Sequence, residues 1–95
     1  MKNYEEREKI YRAAIEKWGI DAQEWMVVEE MGELQRALGK LRRRKISMAE
    51  VVDEIADVQI MLEQLQIMLG CEEPVRRRID KKVLRLEKMI REDTP

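Results

Sequence analysis

Two acidic clusters, Glu29-Glu30-Met31-Gly32-Glu33 and Glu54-Ile55-Ala56-Asp57, carry the residue types and spacing most able to do chemistry in this chain. Glu30 and Glu33, and likewise Glu54 and Asp57, stand three residues apart, so on helices each pair projects from one face. At ~100° per residue, Val27, Met31, Leu34 and Leu38 form one stripe, with Glu30 inside its margin between Leu34 and Ala37 and Glu33 just beyond, beside Met26. Glu54 and Asp57 border a Val58/Leu65 seam, and Met61 and Met68 fall in the same sector. Burying unpaired carboxylates costs several kcal/mol each. Two such pairs facing each other across antiparallel helices would repel strongly, and a divalent cation resolves the repulsion. An acidic run on a helix is ordinarily a solvated face. The apolar flanks and the presence of a second pair set this one apart.

The absences narrow the chemistry. The chain has no His, so Ser/His and Cys/His catalysis are excluded, as are most zinc, copper and di-iron sites. What remains is a hard cation held by oxygen ligands, magnesium or manganese. Nineteen basic residues against 20 acidic ones leave no global field to recruit nucleic acid or an anionic membrane. A single cysteine, Cys71, rules out an intramolecular disulfide, the N-terminus is polar, and no apolar run approaches membrane-spanning length, which together point to a cytoplasmic protein.

The elements that must position the carboxylates are helices. Composition is 44% hydrophobic and 41% charged with four glycines and two prolines, which suits amphipathic helices in one all-α domain over residues 1–95. A first helix spans 3–18, with Tyr4, Tyr11, Ile15 and Trp18 on one face and Gly19 as its stop. Asp21-Ala22-Gln23-Glu24 has the form of a capping box opening a second helix over 22–44, and Ser47-Met48-Ala49-Glu50 repeats the device. The third helix, 48–69, carries Val51, Ile55, Val58, Leu62, Leu65 and Leu69 at alternating spacings of four and three, and Gly70 ends it. Pro74 fits the first turn of a fourth helix with Val75, Ile79, Leu86 and Ile90 along one side, fraying through Glu92 to Pro95. The expected architecture is a four-helix bundle. Ile60 and Ile67, far around the third helix from its seam, add the expectation of a homodimer or homotetramer.

In its order of motifs, EExxE followed by ExxD, the chain resembles the MazG-like all-α nucleoside triphosphate pyrophosphohydrolases, in their compact single-domain form. The residues that carry the resemblance are Glu29, Glu30 and Glu33, then Glu54 and Asp57 within Ile55-Ala56-Asp57-Val58. It implies magnesium-dependent cleavage of a nucleoside triphosphate between its α- and β-phosphates, releasing monophosphate and pyrophosphate. It also implies Glu30, Glu33, Glu54 and Asp57 as metal ligands, with Glu29 holding the attacking water or a further metal. Lys82 and Arg85 look similar to basic positions that the family sets near the phosphates.

The residues themselves add less about substrate. Lys82 lies within the apolar stripe of the fourth helix with Arg78 and Arg85 flanking it, an arrangement that suits either a phosphate or a simple ion pair. Trp18, Trp25 and Tyr11 are the aromatics able to stack a base, although aromatics at helical spacing more often fill a core. The runs Arg42-Arg43-Arg44-Lys45 and Arg76-Arg77-Arg78 read as solvated helix ends rather than a nucleic-acid surface. Two other functions fit the pattern: a non-catalytic helical module for oligomerisation or partner binding, and the related phosphoribosyl-ATP pyrophosphohydrolase activity.

Overall fold

The computed structural model describes residues 1–92, and the expected fraying at 93–95 lies outside them. Four helices account for the fold: α1 (Tyr4–Trp18), α2 (Ile20–Arg42), α3 (Met48–Leu69) and α4 (Glu72–Glu92), with no strand among the described residues. None is long and apolar enough to cross a membrane.

The helix ends follow local chemistry. Asn3 caps α1 by a reciprocal pair: its side chain accepts from the Glu6 amide at 2.9 Å, and its own amide donates to the Glu6 carboxylate at 3.2 Å. Gly19, at φ +92°, ends α1 and opens α2 with no connecting loop between them. The capping box expected at Asp21 is therefore not used. The helix already begins at Ile20, and Asp21 sits in its first turn, where its charge favours the helix dipole. α2 ends at Arg42 rather than at 44, because Arg44 turns left-handed at φ +58°. Ser47 caps α3 through the Glu50 amide, left-handed Gly70 closes it at φ +63°, and Pro74 occupies the first turn of α4.

The core is the antiparallel seam between α2 and α3. Gln23, Val27 and Ala37 are buried from α2, and Val51, Val58, Met61 and Gln64 from α3. This is a rotation from the expected stripes. Met31, Leu38, Ile55 and Leu62 are each about 40% exposed (44%, 45%, 42% and 39%), and Leu69 is 60% exposed. The seam runs instead through positions 23, 27, 30, 34 and 37 and through 51, 54, 58 and 61, the same four-three spacing turned toward Glu30 and Glu54. A buried amide pair accompanies the rotation, Gln23 Nε2 donating to Gln64 Oε1 at 2.6 Å while Gln64 Nε2 reaches the Met61 sulfur. A buried amide must find a partner, and in this setting the two glutamines supply each other with one.

α1 closes the upper end of the seam. Tyr11 is buried and donates to Glu63 at 2.8 Å, Arg7 pairs with the same carboxylate at 3.0 Å, and the Tyr4 hydroxyl reaches Glu72 at 3.0 Å. Burial, reinforced by Glu72, pushes the Tyr4 hydroxyl up to about 12, so it remains a donor at any physiological pH. The fourth helix departs from a closed bundle. α4 packs mainly on α3, is joined to α1 through Tyr4 and Glu72, has no fully buried residue, and leaves the chain with a radius of gyration of 16.5 Å, where a compact chain of this length has about 12 Å. α1, α2 and α3 form the body, and α4 projects from it.

The glutamine pair gives a direct check on the rotated seam. Gln64→Leu alone strands the Gln23 amide and is expected to cost about 1–3 kcal/mol, whereas Gln23→Leu combined with Gln64→Leu recovers most of the loss. Denaturant melts of the two single variants and the double variant measure it. Additive losses would mean that the two amides do not depend on one another.

Candidate functional site

The rotation brings carboxylates from both helices to one point. Glu30 follows buried Val27 on α2, and Glu54 lies between buried Val51 and Val58 on α3. Asp57 stands one turn further along α3, at the rim. One oxygen from each of Glu30, Glu54 and Asp57 lies within 4.8 Å of the other two, with the two glutamates half-buried and the aspartate exposed. Among the described residues no cation forms an ion pair with any of the three. Glu54 Oε2 is fully shielded from solvent and has no hydrogen-bond partner, the only such buried side-chain oxygen among the described residues. Burial, followed by the neighbouring charges of Asp57 and Glu54, raises the Glu30 carboxyl above the ordinary carboxylate range.

This donor set suits a hard divalent cation. Carboxylate oxygens from three residues, one of them with an orphaned buried oxygen, provide the charge and the donor type that magnesium or manganese takes. Glu29 and Glu33 fall outside the group of three. Glu29 is exposed, and Glu33 is engaged by Arg36 in a short ion pair on the adjoining shoulder of α2.

A cleft of about 200 Å³ opens beside the cluster and shares Glu54 with it. Glu33, Arg36 and Lys40 line it from α2, and Glu50 and Asp53 from α3. Arg36 and Lys40 were missed in the sequence, although Glu29, Glu33, Arg36 and Lys40 recur at spacings of four, three and four along one shoulder of a helix. That signal was available, but their polar type made them look like ordinary solvent-facing charges.

Other expected site residues are elsewhere. Lys82, Arg85 and Arg78 are exposed on α4, which does not pack against α2, and none of them lines the cleft. The assumption behind their placement was a fourth helix folded into the bundle. Trp18 and Trp25 are 58% and 71% exposed and also lie off the cleft, Trp18 with Lys17 over its ring at 5.4 Å. Tyr11 is a structural residue, committed to Glu63.

The raised Glu30 carboxyl has a consequence for stability. Its folded-state pKa lies above the unfolded value, so the fold loses stability as pH rises through that interval, and the full penalty stands above it. In chelator, Glu30→Gln is therefore expected to melt higher than wild type at neutral pH, the gap closing near about pH 3.5 where both carry a neutral side chain. Thermal melts across this range decide the point, and a variant that melts lower at neutral pH would mark Glu30 as a stabilising ion-pair partner.

Comparison with protein-family models, with curated proteins and with solved structures finds no match to this chain.

Proposed function

We propose that this chain is a magnesium-dependent nucleoside triphosphate pyrophosphohydrolase, releasing nucleoside monophosphate and pyrophosphate. The observation that carries the reading is the convergence of Glu30, Glu54 and Asp57 around an orphaned buried carboxylate oxygen, beside a cleft that sets Arg36 and Lys40 among the carboxylates of Glu33, Glu50, Asp53 and Glu54. The order of the acidic motifs, which resembles the MazG-like enzymes, supplies the reaction class.

Within this reading Glu30, Glu54 and Asp57 hold the metal, and Glu33 supplies a further carboxylate if Arg36 releases it. Bound magnesium, or manganese, would neutralise polyphosphate charge, polarise the reacting phosphorus and acidify a water. Glu29, exposed and uncommitted to the group of three, is the carboxylate left to take that water's proton. Arg36 and Lys40 attract the phosphates, Arg36 exchanging its Glu33 partner for a phosphate oxygen. Of the aromatics, Trp25 offers an exposed ring for a base, Trp18 is covered on one side by Lys17, and Tyr11 is committed to Glu63. The setting that goes with this chemistry is cytoplasmic, and the assembly a homodimer or homotetramer.

A second reading, a non-catalytic helical module, draws on the exposed apolar face of α4. Incubating the protein with magnesium and a panel of canonical and modified triphosphates, phosphoribosyl-ATP among them, separates the readings. Monophosphate plus pyrophosphate is expected; orthophosphate as the first product, or no metal-dependent turnover, would overturn the assignment.

The cation wall makes a sharper kinetic prediction. Arg36→Gln and Lys40→Gln should each raise KM by about tenfold, the loss of one charge-assisted phosphate contact, whereas Lys82→Gln leaves KM unchanged. The reverse pattern would move the phosphate site to α4.

A further inference from the structure

We propose that α4 is a dimerisation helix whose apolar stripe pairs with α4 of a second copy of this chain in a parallel two-stranded coiled coil. The inference stands apart from the catalytic reading and needs neither metal nor substrate.

The first argument is that α4 needs cover. It is a 21-residue helix with no fully buried residue, packed on α3 only near its root, where Val75 and Ile79 share a cleft with Tyr4 and Gln66 and the Tyr4 hydroxyl reaches Glu72. Further along it is held by exposed ion pairs such as Lys88 with Glu92 at 3.9 Å. Such pairs contribute only about 0.2–0.5 kcal/mol each, and most helical stability in proteins comes from packing an amphipathic face, which α4 does only at its root. Ile79, Val83 and Leu86 nevertheless stand 54%, 57% and 55% exposed along one line.

The second argument is the register of that line. Ile79, Val83, Leu86 and Ile90 follow one another at spacings of four, three and four, which places Val83 and Ile90 at the first core position of a heptad and Ile79 and Leu86 at the second. Val83 and Ile90, β-branched at the first position, with Leu86 at the second favour two parallel strands, and Ile79 at the second position departs from that pattern. Arg76 takes the preceding core position but is held by Glu73 at 2.7 Å, so the seam begins at Ile79.

Charge complementarity selects the partner. On this register Lys82 borders one side of the seam, and Asp80 and Glu87 border the other. In a parallel, in-register pair, Lys82 of each copy faces the partner's Glu87, giving two symmetric ion pairs. An antiparallel pair would set lysine against lysine and acid against acid. The position of Lys82 at the edge of an apolar stripe, unexplained by the body of the fold, follows from this pairing.

Light scattering or sedimentation from low micromolar to millimolar protein tests the proposal. Wild type should pass from monomer to dimer. Leu86→Glu should remain monomeric and lose helical signal equivalent to part of α4, with the α1–α3 body still melting cooperatively. Lys82→Glu and Glu87→Lys should each weaken dimerisation by about tenfold, through two symmetric pairs turned repulsive, and the double variant K82E/E87K should restore it. A wild type that stays monomeric, a Leu86→Glu protein that dimerises as wild type does, or a double variant no better than the singles would each overturn it.

Discussion

Three carboxylates with no ion-pair partner among the described residues, set on the most extensively packed seam of those residues, are the constraint on which the rest of this structure turns. Had hydrophobicity alone chosen the helix rotation, Met31, Leu38, Ile55 and Leu62 would lie inside, and Glu30 and Glu54 would stand at the margin. The observed rotation exposes apolar surface and brings charge inward. Glutamine, not an aliphatic residue, closes the seam at its upper end, and the Gln23–Gln64 hydrogen bond holds the setting in which Glu30 meets Glu54. The fold gives up apolar burial and gains a preorganised acidic site, the pattern expected where function competes with packing.

The same trade explains the unevenness of the molecule. α2 and α3 share most of its packing, α1 is tied on through Tyr11 and Arg7, and α4 meets the body only near its root, on α3 and through Tyr4 with Glu72. A small chain with this little buried apolar surface gains from association, and α4 presents the amphipathic face to supply it. The acidic cluster and the adjoining cleft, with Arg36 and Lys40 among its acidic lining, belong to α2 and α3, and the apolar stripe with heptad spacing belongs to α4.

Much of this was legible in the residues, and the failures have identifiable causes. Gly19, Ser47, Gly70 and Pro74 mark helix ends because each satisfies a local backbone requirement, so those boundaries held. The capping box at Asp21 did not, since a glycine two residues earlier had already opened the helix. The pairing of Glu30 with Glu54 and Asp57 was readable from spacing and flanks. The rotation was not, because a helical wheel weighs hydrophobicity and cannot see that two buried amides must find each other. Arg36 and Lys40 escaped notice because charged side chains on a helix shoulder look alike until a facing helix makes a cleft of them. The stripe on α4 showed that the helix must be covered and left open by what, which is why Lys82 and Arg85 were expected beside the acidic cluster.

Direct binding of a divalent cation tests the central claim without relying on turnover. Calorimetric titration of manganese into the metal-free wild type should show saturable binding that Glu54→Gln and Asp57→Asn each weaken by at least about tenfold, with both variants still folded in chelator. Wild type and both variants binding manganese indistinguishably, or none binding it at all, would contradict the account. The carboxylates on the α2–α3 seam would then be a charged surface and not a metal site.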